Sequence, residues 1–500
     1  MTYRFVWVIA ATGLAAFSQT PCEQLKSLKL ADASVTSVES VAPGPFGNSG
    51  GPPAATPLLL PGYCRAAMTL KPSSDSDIQI EIWLPASNAW NGKYLAVGGG
   101  GWVGSLNYGA MALALQEGYA TSSTDTGHHG GTAVFAVGHP EKVVDFAYRA
   151  VHEMTLKAKA AMAAYYGRGP RFSYWSGCST GGRQGLMEAQ RFPEDYDGIV
   201  AGAPANNQAH LSAWRLALET RVLKDSASAV PPAKTALVNR AVLAACDGLD
   251  GVKDGLLADP RQCHFDVSTL LCRQGAADDC LTQPQVDTVK MAYAPATNRN
   301  GGLIYPGLVP GGETGWTLLS GIRPEPNVID IGMYRYVVHQ DPEWNWRAFD
   351  LEGDAGLADG KVGYIDAINP DLSAFKARGG KLLIYHGWSD GGSAGAISPL
   401  NSVNYYSSVL SKMGPGQDNW LRLFMVPGMG HCGGGPGPNQ FNVLAALERW
   451  RESGAAPGQI VAFRVVENRV DMTRPLCPYP QVAAYAGAGS TNDAGNFICK

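Results

Sequence analysis

Gly177-Cys178-Ser179-Thr180-Gly181 sets one serine between two glycines at G-x-S-x-G spacing. A serine hydroxyl is a weak nucleophile until a base takes its proton, and that base must itself be oriented by an acid. A nucleophile carried on a strand-to-helix turn is followed along the chain by its acid and then by its histidine. Two downstream segments fit that order. Asp390 ends His386-Gly387-Trp388-Ser389-Asp390, just past an apolar run at 381–385, and His431 lies in Gly428-Met429-Gly430-His431-Cys432-Gly433, just past a run at 421–426. Competing histidines are few. His128 and His129 precede Ser179, the wrong order for a base, and read as pocket-shaping; His210, His264 and His339 fall in the middle of the chain. His386 shares the turn of Asp390 and reads as a support for it.

Cys178 directly precedes the candidate nucleophile and Cys432 directly follows the candidate base. A bond between them would hold their Cα atoms about 5.5 Å apart, and would bring Ser179 and His431 together ready for proton transfer. An oxyanion formed at Ser179 needs backbone N–H donors. Thr180, the residue after the nucleophile, supplies one, and the four glycines at 98–101 mark a loop able to supply the other. A separate cluster, Asp247, Asp250 and Asp254 with interspersed glycines, offers hard oxygen ligands of the kind Ca²⁺ prefers. Its spacing is not that of an EF-hand. Three such carboxylates repel one another unless a cation offsets them, and a Cys246–Cys263 bond would clamp the loop.

The elements that must carry these residues alternate. Strand patterns run over 78–84, 94–97, 172–176, 198–203, 381–385 and 421–426, and helical patterns over 144–166, 183–192 and about 439–454. Short strands alternating with helices predict an α/β fold with a largely parallel sheet. The alternation stops after Pro204; residues 206–378 are rich in Gly, Pro and Trp and carry four of the ten cysteines. That stretch is too long for a plain loop, so it reads as a lid-like insertion between 19–205 and 379–500.

The whole chain of 500 residues is 45% hydrophobic with a net charge of -4, its charges dispersed, which argues against an electrostatic nucleic-acid or membrane-surface role. Arg4, the apolar stretch 5–17 and Ala16-Phe17-Ser18 read as an export signal spanning 1–18. The apolar run falls short of the roughly 20 residues that cross a bilayer. Ten cysteines, with no zinc-ligand spacing, agree with export and read as five disulfides. A secreted or periplasmic location follows, with no membrane anchor.

Together Cys178-Ser179, Asp390, His431-Cys432, the glycines ending in Trp102, Ser123-Thr124-Asp125-Thr126-Gly127-His128, the 247–256 loop and Asp341-Pro342-Glu343-Trp344 resemble the tannase/feruloyl esterase family, bacterial members and mono(2-hydroxyethyl) terephthalate hydrolase included. The resemblance implies an α/β-hydrolase core with a large lid-domain insertion. It implies oxyanion donors at Gly101 and Thr180, and a structural Ca²⁺ held by Asp247, Asp250 and Asp254 with the carbonyls of Val252 and Leu256. It also implies the pairs Cys22–Cys64, Cys178–Cys432, Cys246–Cys263, Cys272–Cys280 and Cys477–Cys499. The expected activity is hydrolysis of small aromatic esters, feruloyl or galloyl, with a terephthalate monoester as the alternative within the family. A non-catalytic polyphenol- or carbohydrate-binding protein is the alternative of another class. Trp214, Trp316, Tyr334, Trp344 and Trp346 are candidate pocket aromatics that could equally be lid core, and Arg323 and Arg335 are candidate partners for a distal carboxylate.

Overall fold

The computed structural model describes residues 20–47, 57–275, 277–391 and 396–500, so the expected export signal at 1–18 lies outside the described residues. Nine strands form one sheet: β1 (Ala33–Val41), β2 (Tyr63–Leu70), β3 (Ile78–Pro85), β4 (Lys93–Val97), β5 (Ala120–Thr124), β6 (Phe172–Cys178), β7 (Gly198–Gly202), β8 (Lys381–Gly387) and β9 (Leu421–Val426). Their spatial order is β1-β2-β3-β5-β4-β6-β7-β8-β9. The first three and β5 pair antiparallel, and from β5 to β9 every pairing is parallel. This is the α/β core that the alternation predicts.

Both faces of the sheet are covered, and the two-residue period of a strand decides which side chain goes where. Ile80, Ile82, Trp175, Ile199, Leu382 and Leu423 point into one apolar layer, against the helices α2 (Ala150–Tyr166), α3 (Thr180–Arg191) and α8 (Pro399–Met413). Their chain neighbours Trp83, Tyr174, Val200, Leu383 and Phe424 point into the other, against α1 (Tyr108–Gln116) and α9 (Val443–Ser453). The helix expected from 144 starts earlier, at Pro140, passes through a π-turn at Asp145–Arg149, and ends as expected at Gly167, whose φ is +71°.

Among the described residues, no strand of the main sheet comes from the chain between Gly202 and Lys381. Four helices of that stretch, α4 (Gln208–Lys224), α5 (Pro232–Cys246), α6 (Gln283–Tyr293) and α7 (Leu351–Val362), pack with Trp316, Tyr334 and Tyr305 around a third core. The sequence reads as loop-rich there, and the reason is physical. The buried positions of α4 run all round the helix, so it has no amphipathic stripe, and α7 has three internal glycines. The third core also takes in Trp102, Ala133 and Phe146 from the sheet-forming half. All five expected disulfides are present, with Cα–Cα distances of 5.5, 6.0, 5.5, 5.0 and 5.5 Å in chain order.

Candidate active site

β6 stops at Cys178, α3 begins at Thr180, and Ser179 alone makes the turn, at φ +63° and ψ −122°. A positive φ costs a non-glycine residue energy and persists only where its surroundings impose it. Here the Ser179 N–H donates to the Gly202 carbonyl (2.9 Å), and the Ser179 carbonyl accepts from the N–H groups of Arg183 (3.0 Å) and Ala205 (3.1 Å). Glycine is demanded by contact at 177 and at 98. A Cβ on Gly177 would stand 2.6 Å from the Gly181 carbonyl, and one on Gly98 would stand 2.6 Å from the Gly181 Cα. The helix therefore starts three residues earlier than its sequence pattern suggests, with Gly181 and Gly182 accommodated by close packing.

That same closeness lays the 98–101 loop against the elbow. Gly98 donates to the Ser176 carbonyl (3.0 Å), Gly99 to Gln184 Oε1 (3.1 Å), and the Thr180 hydroxyl to the Gly101 carbonyl (3.1 Å). Gly101 has φ +52°. Thr180, at the first helical position, has no intrahelical acceptor for its N–H. Buried Trp102, which follows Gly101, donates its indole N–H to the Ile329 carbonyl (2.9 Å), so the insertion rests directly on this loop. Of the upstream histidines, His128 is buried and bonds the Trp102 carbonyl (2.8 Å), whereas the His129 side chain is 76% exposed.

Asp390 and His431 meet. Asp390 Oδ2 accepts from His431 Nδ1 (2.7 Å) and from His386 Nε2 (3.0 Å), and His386 Nδ1 lies 2.8 Å from the Ser402 hydroxyl. Asp390 and His386 are fully enclosed, and His431 is partly open. Burial alone would raise the Asp390 carboxyl, but the His431 charge and hydrogen bonds from both imidazoles hold it far below the ordinary range. With Nδ1–H committed to Asp390, His431 presents Nε2 as the proton acceptor. Backbone bonds fix both turns to each other: Trp388 N–H to the Val426 carbonyl (2.9 Å) and Ser389 N–H to the Met429 carbonyl (2.9 Å). Gly387 is required where they touch, since its Cβ would lie 2.2 Å from the Met429 carbonyl. The Cys178–Cys432 bond then joins the residue before Ser179 to the residue after His431, across 254 positions of sequence.

Arg183 was not singled out by the sequence. It is wholly buried four residues after Ser179 and donates to the carbonyls of Ala147 (2.8 Å), Ile365 (3.0 Å) and Phe146 (3.2 Å), pinning α3 to the π-turn and to the insertion. Burial pushes its guanidinium down to about 10. Trp214, Tyr334 and Trp346 are core residues of the insertion, and Trp344 is half-buried against His339. Trp316 is also buried, yet it abuts Gly391 beside the acid: a Cβ on Gly391 would be 2.5 Å from its ring. Arg335 pairs with Glu325 (3.5 Å), and Arg323 is exposed.

The acidic loop packs against the segment that leads into His431, since a Cβ on Gly428 would stand 2.5 Å from the Leu256 side chain. Asp250 Oδ1 accepts from the Val252 N–H (2.9 Å), Asp254 Oδ1 from Leu256 (3.1 Å), and Asp247 Oδ1 from Gly255 (2.9 Å). Asp250, Val252, Asp254 and Leu256 line one cavity of about 20 Å³, on the scale of a single ion, while Asp247 does not line it. Burial raises the carboxyls of Asp250 and Asp254, so each favours a counter-charge. Arg474 from the C-terminal hairpin supplies part of it, 2.5 Å from Asp254 Oδ2. The donor chemistry fits a hard cation at four of the five expected positions.

Residues 64–500 match the sequence model of a family described as tannase and feruloyl esterase. The chain is 36% identical to an uncharacterized esterase of Xanthomonas campestris, over 99% of this chain and 94% of that one. It is 35% identical to a probable feruloyl esterase B of Aspergillus clavatus, over 98% of each. The crystal structure of feruloyl esterase B from Aspergillus oryzae superposes with a TM-score of 0.88 at 33% identity, covering 96% of this chain and 99% of that one. Tannin acyl hydrolase from Aspergillus niger shares the fold, with a TM-score of 0.76 at 24% identity and 94% and 92% coverage.

If the Cys178–Cys432 bond holds the geometry of this site, the Cys178→Ser, Cys432→Ser double variant loses about 100-fold in kcat, with KM changed far less. Steady-state kinetics on a soluble aromatic ester, with circular dichroism to verify folding, check it.

Proposed function

Since this chain belongs to the tannase and feruloyl esterase family and is a carboxylic ester hydrolase, we propose that it cleaves aromatic acyl esters through an acyl-enzyme on Ser179. The observation that carries the reading is the Asp390–His431 pair at 2.7 Å, tied by the Cys178–Cys432 bond to a strained serine. His431 Nε2 takes the Ser179 proton as Oγ attacks the ester carbonyl, and Asp390 holds the imidazole and stabilises it once charged. The N–H groups of Gly101 and Thr180 stabilise the tetrahedral oxyanion. His431 then gives its proton to the leaving alcohol. Water, deprotonated in turn by His431, attacks the acyl-enzyme, and His431 returns that proton to Ser179 Oγ as it leaves.

Residues 206–378 act as a lid in this account, and two contacts support it: Ile329 over the Gly101–Trp102 loop and Trp316 against the turn of Asp390. The substrate class is feruloyl or galloyl esters, following the activities for which the relatives are named. The lid loop 247–256 holds a structural Ca²⁺ through Asp247, Asp250, Asp254 and the carbonyls of Val252 and Leu256. Bound there, the ion would offset buried carboxylates and stiffen the loop, outside the reaction. Export with cleavage near Ser18 places the enzyme outside the cytoplasm, and five disulfides accord with that.

Ser179→Ala is expected to lower kcat/KM by at least about a thousandfold while leaving the melting curve in place. Run in parallel on methyl ferulate, methyl gallate and a terephthalate monoester, the wild type turns over one of the first two fastest. Substantial hydrolysis by Ser179→Ala sinks the mechanism, and a preference for the terephthalate monoester overturns the substrate class. Chelation with EDTA is expected to lower Tm by a few degrees, restored by Ca²⁺. An unchanged melting curve, with no calcium in the purified protein by elemental analysis, rules the ion out.

A further inference from the structure

On the side of α3 remote from Ser179, three ligand-type side chains converge. His152 projects from α2, Glu188 from the last turns of α3, and Asp195 from the turn that leads into β7. One imidazole nitrogen and one oxygen from each carboxylate all lie within 4.8 Å of one another, the only such group among the described residues. Glu188 is 1% exposed and neither of its oxygens has a hydrogen-bond donor. Asp195 is equally buried, and its Oδ2 is 2.6 Å from His152 Nδ1.

Two carboxylates enclosed together repel strongly: His152 serves Asp195 alone, Glu188 has no donor, and such a pair calls for a cation to share. The neighbouring ammonium offsets that repulsion only in part, because Lys159 Nζ donates to the backbone carbonyl of Asp195 rather than to either carboxylate. A proton can be shared: burial and the nearby Asp195 charge both push the Glu188 carboxyl well up. A proton would serve the two carboxylates with His152 bonded to Asp195 alone, whereas a metal would engage all three side chains. His152 stacks on Phe192 with ring centroids 3.8 Å apart, which fixes the ring, and its side chain is 19% exposed, which leaves a route from solvent. One imidazole nitrogen and two carboxylate oxygens make a ligand set for zinc or a metal of like preference. Two ligands on a tetrahedral zinc stand about 3.4 Å apart, within reach of small side-chain movements here.

We propose that His152, Glu188 and Asp195 bind one divalent transition-metal cation, with zinc as the preferred ion. The site is distinct from both the acidic loop and Ser179. Bound there, the ion would tie α2 and the turn before β7 to the far end of the helix that begins at the nucleophile, about 12 Å along its axis from Thr180. Its role would be to brace that helix.

The test uses the full mature chain without a polyhistidine tag, stripped with EDTA, saturated with Ca²⁺ and titrated calorimetrically with ZnCl₂. The wild type is expected to bind one zinc per chain with a rise in Tm. Glu188→Gln, a neutral isostere, and His152→Asn, at a partly open position, each weaken that binding at least about tenfold and abolish the Tm rise, while both retain zinc-free esterase activity. Zinc uptake unchanged in a folded variant overturns the proposal, because the ion then binds elsewhere. No uptake by the wild type overturns it too, in favour of a shared proton. If one variant fails to fold, the other gives the same decision.

Discussion

Between β6, which delivers Ser179, and β9, which delivers His431, lie two strands. At the spacing of a sheet that separates the two strand ends by about 14 Å, too far for a proton to pass. The Cys178–Cys432 bond brings the flanking Cα atoms to 6.0 Å, so the chain after β9 must fold back over the ends of β7 and β8. The rest of the site follows from that return. The returning loop packs against the turn after β8 through backbone bonds from Trp388 and Ser389, and Gly387 permits the contact. Asp390, on that turn, is thereby buried under His431 and held on its other side by His386.

A second close approach acts on the opposite side of Ser179. Gly98 passes so near Gly181 that it has no room for a side chain, and the Thr180 hydroxyl is bonded to the Gly101 carbonyl. The elbow is thus held between a disulfide on one side and a glycine contact on the other. Both are short-range, so small displacements of β9 or of the 98–101 loop would be felt at Ser179. The buried guanidinium of Arg183 extends this to the insertion, since it binds carbonyls from both halves of the molecule.

Much of this was legible in the sequence, and the limits have physical causes. Ser179, Asp390 and His431 could be read because each follows a short run read as a strand, and a strand's end is where an open α/β sheet places its chemistry. The contact of His386 with Asp390 was half legible, as a polar residue closing an apolar run. The insertion's helices were not, because α4 is buried all round and α7 is broken up by glycines. The His152, Glu188 and Asp195 cluster left no trace: its members sit at ordinary positions on separate elements, and only the packing of α2 on α3 brings them together. Composition and spacing speak for the acidic loop, but Asp247 turns towards the backbone N–H of Gly255, a detail that no spacing rule contains.

The central claim is that Ser179 is the one nucleophile of this molecule, activated by His431. An organophosphonate that reports only on activated serines, followed by digestion and mass spectrometry of the native enzyme, tests it most directly. The account predicts one adduct per chain, on the peptide holding Ser179, appearing in step with the loss of esterase activity. Complete inactivation with Ser179 unlabelled, or with the adduct on another residue, would contradict it.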